Sequence, residues 1–131
     1  MAVQNNYMTW TIQASAALTD LRAGLGEIYK AVGTTGKITA TKNALGILQQ
    51  GADDAGHITL AIMGVSKYTA SAAVAAGAGL SVTTSGYMVT ATSGSSVCGR
   101  NLDTACASGA VGTGFFNFAN PWASVNSNGV L

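Results

Sequence analysis

Charge is what this chain has least of. Asp, Glu, Lys and Arg make up 8% of its 131 residues, against a usual share of about 25%, and the formal net charge is +1. Without clustered Lys and Arg nothing can displace counterions from phosphates, so nucleic acid is not an expected partner. Histidine occurs once, at His57, and cysteine twice, at Cys98 and Cys106. A zinc site wants four ligands in tight pairs, so neither a metal nor another cofactor is expected. Two readings of the thiols stand open: small buried side chains, or a disulfide closing a hairpin. The acids are Asp20, Glu27, Asp53, Asp54 and Asp103. Only Asp53 and Asp54 adjoin, and GADDAG reads as a glycine-flanked turn, with a weak calcium site as the lesser alternative. Lone His57 has no evident catalytic partner, and the chain does not read as an enzyme.

Long apolar runs are also missing. Residues 68–99 and 104–131 carry no charge, but they are Ala, Gly, Ser and Thr with sparse large apolar side chains. A spanning helix needs about 20 predominantly apolar residues, so no membrane association is expected. The start, MAVQNNYMTW, lacks a basic segment followed by an apolar run, and the expectation is a chain made in a cytoplasm without a secretory signal. Gly36-Lys37 looks like part of a phosphate loop. That motif requires Gly and Ser/Thr where this chain has Ala31 and Ile38, so the spacing fails twice.

What the chain does have is glycine, 17 residues of it, and an internal repeat. TTGKITATKNALGILQQGADDAGHITLAIM at 34–63 shares its order with TTSGYMVTATSGSSVCGRNLDTACASGAVGTGFF at 83–116. Gly36 matches Gly86, ITAT matches VTAT, and Gly46 and Gly56 match Gly99 and Gly109. ASAA recurs at 14–17 and 70–73, and AGL at 23–25 and 78–80. Since Tyr87 replaces Lys37 in the second copy, the glycine and the alternating Thr-rich strand are what the repeat keeps.

In the first half the spacing predicts strands near 27–32, 37–41, 44–49 and 57–63. In the second half it predicts 80–84, 87–92, 96–101 and 110–118, with QGADDAG and DTACASG as the last loops. Short strands between glycine turns indicate an all-β fold, a small β-barrel or β-sandwich built from two similar halves. A helix is disfavoured because each interior Gly costs about 1 kcal/mol relative to Ala. ASAALTDLRAGLGEIYKAV, with Leu18, Leu21 and Leu25 at helical spacing, is the one exception, and its glycine-rich counterpart favours a loop or short helical turn leading into a strand. The organisation expected is an extended N-terminal arm at 1–13, one β domain at 14–118 with halves of about 14–63 and 70–116, and a C-terminal tail at 119–131.

The order GVSK, SAAVAAGAGLSV, a glycine turn, VTATSG and VCGRNL resembles the small head decoration, or capsid cement, proteins of tailed bacteriophages. There a Val-x-Gly strand, like Val97-Cys98-Gly99, pairs with an earlier apolar-Gly strand, like Leu45-Gly46-Ile47-Leu48. The likeness runs over about residues 30–118, and the longer start and the tail NFANPWASVNSNGVL depart from the simplest members. It implies a structural virion protein on the outer surface of the expanded head. There it would bind the major capsid protein and itself, commonly as homotrimers at three-fold positions, and cement neighbouring subunits against internal DNA pressure. Physically, a protein that binds only the assembled shell stabilises it by mass action, and many modest contacts act together.

Two surfaces are candidates for such contacts. The first is the arm, with Gln4, Asn5, Tyr7, Met8, Trp10 and Ile12, which either adds to a capsid sheet edge or forms the first strand of the protein's own sheet. The second is Phe115, Phe116, Phe118, Pro121 and Trp122. Alternation puts Phe116 and Phe118 on one face and Phe115 on the other, and the set reads either as a contact between protomers or as an aromatic cap on the core. A glycan- or receptor-binding β module, or a subunit of another assembly such as a fibre, is the alternative to cement.

Overall fold

A computed structural model describes residues 6–13, 28–33, 44–50, 57–83, 85–93, 96–118 and 122–124. These form twelve strands, and no helix occurs among the described residues: β1 (Asn6–Gln13), β2 (Ala31–Gly33), β3 (Ala44–Gln50), β4 (His57–Thr69), β5 (Val74–Ala75), β6 (Gly79–Val82), β7 (Met88–Thr90), β8 (Ser96–Val97), β9 (Gly99–Asn101), β10 (Ala105–Cys106), β11 (Val111–Asn117) and β12 (Trp122–Ser124). The main sheet is antiparallel and follows the path β2-β3-β4-β11-β9-β6-β7, with β1 joined to β4. Its ends meet. The Ala31 N–H donates to the Gly86 carbonyl at 2.8 Å, and the Lys30 ammonium lies 4.4 Å from the centre of the Tyr87 ring. This near-closure makes a small barrel and leaves little open sheet edge along the path.

The expected all-β class is what the structure shows. The strands expected at 44–49, 80–84, 87–92 and 110–118 are β3, β6, β7 and β11, while 96–101 is divided between β8 and β9. The strand expected at 57–63 runs on to Thr69, with Gly64-Val65-Ser66-Lys67-Tyr68 alternating afresh after an irregularity at Ile62. SAAVAAGAGLSV, read as a loop or short helical turn leading into a strand, supplies β5 and a tight turn with Gly77 at φ 67° before the expected strand β6. DTACASG contains β10, which pairs with β5. Within the stretch read as a tail, β12 pairs antiparallel with β8. The strand expected at 37–41, the GADDAG turn and the possible helix before Ile28 lie outside the described residues.

The repeat persists in strand pairing. Val32 opposes Gly46 in the first half, and Leu80 opposes Gly99 in the second. The faces differ, however. A Cβ on Gly46 would come 3.0 Å from that of Leu60, whereas one on Gly99 would meet the Phe116 ring at 2.5 Å. Gly86, the turn residue expected before β7, has φ 80°, a conformation that glycine adopts without steric cost.

The interior is organised by β11. Its inward positions read Gly112, Gly114, Phe116, and Phe118 follows in the same sense: two without side chains, then two rings. Phe116 stacks on Phe118 at 5.6 Å and meets Tyr68 edge-on at 5.9 Å. These distances suit aromatic pairs. Tyr68 and Phe116 lean over Gly112 and Gly114, where an added Cβ would come within 2.8 Å of each ring. Ile47, Leu80, Val82, Met88, Val74 and both cysteines complete this core. A second cluster, Val32, Leu48, Ile58 and Leu60, alternates with Ala31 and Ile47 of the first and so lies on the opposite face of β2 and β3.

Gly99→Ala tests the packing, because its Cβ would fall 2.5 Å from both the Phe115 carbonyl oxygen and the Phe116 ring. Overpacking against backbone should lower stability by about 1–3 kcal/mol, read from urea unfolding, with the denaturant slope unchanged.

Candidate docking face

The strand register decides which side chains share a surface. Met8 opposes Met63, and Val65 opposes both Asn6 and Phe115. Opposed residues project to the same face, and the neighbouring pair Phe116 and Gly64 belongs to the interior side. Met8, Met63, Val65 and Phe115 therefore share the outer face. Between Met8 and Thr9 the register skips one residue of β4, Ile62, after which Trp10 opposes Leu60. Leu60 belongs to the second cluster, so Trp10 continues the same outer face. The side chains are bare: Met8 is 58% exposed, Trp10 55% and Phe115 40%. Met63 and Val65 between them are half-buried.

The two surfaces that the sequence offers separately are thus brought together. The N-terminal segment forms β1, hydrogen-bonded to β4 of its own sheet, with Tyr7 half-buried and Met8, Trp10 and the flanking Thr9 and Thr11 exposed. Ile12 opposes Ile58 in the register. Phe115 joins Met8 and Trp10 on one face. Phe116 and Phe118 are sealed in the barrel, 1% and 6% exposed, and are not free to meet a partner. Trp122 pairs with Val97 in β12. Gln4, Asn5, Pro121, Gly36 and Gly56 lie outside the described residues. Val65 lies beyond the strand expected at 57–63, and the extra residue Ile62 hides from residue alternation which side Met63 and Val65 take.

At the edges of this face lie Arg100, which opposes Phe115 and is exposed, and Lys67, which follows Val65 on the same side of β4 and opposes Thr113. Charge is otherwise sparse: β1 from Asn6 to Gln13 has none, and β11 from Val111 to Asn117 has none. Such a surface is removed from water at little electrostatic cost. An exposed apolar patch spread over three strands marks a contact surface more often than it marks an idle one.

The polar groups inside are engaged with one another. The Tyr68 hydroxyl donates to Asn101 Oδ1 at 3.0 Å, and Asn101 Nδ2 donates to the Ala75 carbonyl at 2.9 Å and the Asp103 carbonyl at 3.2 Å. The Asp103 carboxylate accepts from the Thr113 N–H at 2.8 Å. This network ties β4, β5, β9 and β11 together. Among the described residues no three of His, Cys, Asp and Glu cluster as a metal site would require. Both cysteines are free thiols. No described helix is long and apolar enough to cross a membrane. The chain matches no protein-family model, and no curated protein matches it.

Two pH-sensitive groups lie in this interior. Burial pushes the Cys98 thiol up to about 12, and burial, followed by the proximity of Cys106 and Asp103, raises the Tyr68 phenol. Both are acids whose folded form holds the proton more tightly than the unfolded chain does. Their contribution is therefore fully present below the unfolded values and is lost as pH rises through the folded ones. Unfolding midpoints should fall above about pH 9, and Cys98→Ala should reduce the slope of that decline. Asn101→Leu should cost at least about 2 kcal/mol by removing the Oδ1 acceptor shared by the buried Tyr68 hydroxyl and the Asp103 N–H, measured by thermal melting.

Proposed function

We propose that this chain is a structural protein that binds the outer surface of an assembled particle, a decoration or cement protein of a phage head. The observation that carries the reading is the outer face of β1, β4 and β11, where Met8, Trp10 and Phe115 are exposed beside Met63 and Val65. A small closed barrel has no structural need to leave Trp and Phe bare, and aromatic side chains dominate the centres of protein contacts. The nearly uncharged surface lets copies dock closely on a shell. The order of segments from GVSK to VCGRNL supplies the choice of shell through the resemblance it carries. Bound at the junctions of capsid subunits, each copy stabilises only the assembled arrangement, by mass action, and the effect grows with the number of subunits bridged.

The test is to purify intact particles on a density gradient and quantify this chain against the most abundant shell protein by mass spectrometry. A near-stoichiometric ratio, lost on unexpanded shells, is expected, whereas absence from particles overturns the reading. The double variant Trp10→Ser, Phe115→Ser should bind expanded shells at least tenfold more weakly, the scale of one or two lost contact anchors of about 1–2 kcal/mol, while melting as the wild type does. Retained binding by this variant would move the docking surface elsewhere.

A further inference from the structure

We infer that β1 pairs antiparallel with β1 of a second copy of this chain, about a two-fold axis at Trp10. Among the described residues β4 is the only strand partner of β1. No described strand takes up the main-chain donors and acceptors on the other edge of this eight-residue strand. Proteins ordinarily blunt such an edge with Lys, Pro or a bulge in the edge strand. The sequence Asn6–Gln13, NYMTWTIQ, has no charge and no proline. The one irregularity in its pairing is the extra residue Ile62, which belongs to β4, so β1 itself stays regular.

A second copy fits this edge residue by residue. Antiparallel pairing centred on Trp10 sets Trp10 opposite Trp10, Met8 opposite Ile12, and Thr9 opposite Thr11. Apolar positions oppose apolar ones and hydroxyls oppose hydroxyls, as stable cross-strand pairs require. With no charge on either strand, copy meets copy without repulsion. Centring on Thr9 instead would set Asn6 against Ile12, a poorer match. The pairing also makes the outer faces of the two copies continuous, so that Met8 and Trp10 of one copy extend the apolar strip of the other. This contact is isologous and two-fold. It is distinct from the three-fold cluster that the resemblance implies, and it holds whether or not the chain binds a shell.

Thr9 and Thr11 give the test, because both are exposed and both would face each other across the axis. The full chain is expected to sediment as a dimer, or as a multiple of two. In Thr9→Lys, Thr11→Lys, each Lys opposes a Lys of the other copy, and the dimer should weaken roughly tenfold or more. In Thr9→Glu, Thr11→Lys, each Glu opposes a Lys, and dimerisation should return. Circular dichroism spectra of all three should coincide, since the substitutions leave the β1–β4 main-chain ladder untouched. A wild type that is monomeric at about 100 µM overturns the inference. So does a trimer, or a Lys/Lys variant that associates as the wild type does. Failure of the Glu/Lys variant to recover overturns the register centred on Trp10 and the proposal with it.

Discussion

A single additional residue in one strand sets the orientation of the rest. β4 carries Ile58 and Leu60 outward in its first half and Gly64, Ser66 and Tyr68 inward in its second. Because side chains alternate with a period of two, an uninterrupted strand would hold even-numbered positions on one side throughout. The extra residue Ile62 reverses that phase. Without it Tyr68 would leave the core, lose its edge contact with Phe116, and drop the hydroxyl that anchors Asn101. The same reversal allows Met63 and Val65 to continue the outer face begun at Leu60.

β4 is also where the parts of the molecule meet. Ala61 opposes both Thr9 and Ile47, and Val65 opposes both Asn6 and Phe115. A strand has two edges, so β1 takes one of them while β3 and then β11 share the other. A local bulge thereby positions the N-terminal strand, the first half and the second half at once. It brings Trp10 and Phe115, more than a hundred residues apart in sequence, onto a common surface.

Much of the fold could be read from residue order. Glycine spacing and alternating Thr-rich segments located β3, β6, β7 and β11, because turns and period-two burial are local effects. Gly86 shows its turn directly through its positive φ. The shared face could not be read in the same way, since it depends on the pairing partner and phase of β4. Ile62 in LAIMGV looks like any other strand residue, and only the pairing reveals that it is extra. The tally of inward and outward aromatics was partly accessible: alternation separates Phe115 from Phe116 and Phe118, but whether an outward ring is bare or covered is set by distant strands. The reversal of faces between Gly46 and Gly99 is invisible to a repeat that compares only residue types.

The closure of the barrel has a mechanical consequence. On one side the two halves are joined by seven opposed residue pairs between β4 and β11. On the other, at the meeting of β2 and the turn before β7, the links among the described residues include the Ala31–Gly86 main-chain hydrogen bond and the Lys30–Tyr87 contact. Tension across the molecule is therefore borne unequally. The β4–β11 ladder acts as a spine and the opposite side as a clasp, so a load that spreads the barrel strains the clasp first. The barrel can then yield like an opening clip while its spine and the outer face built on it keep their shape.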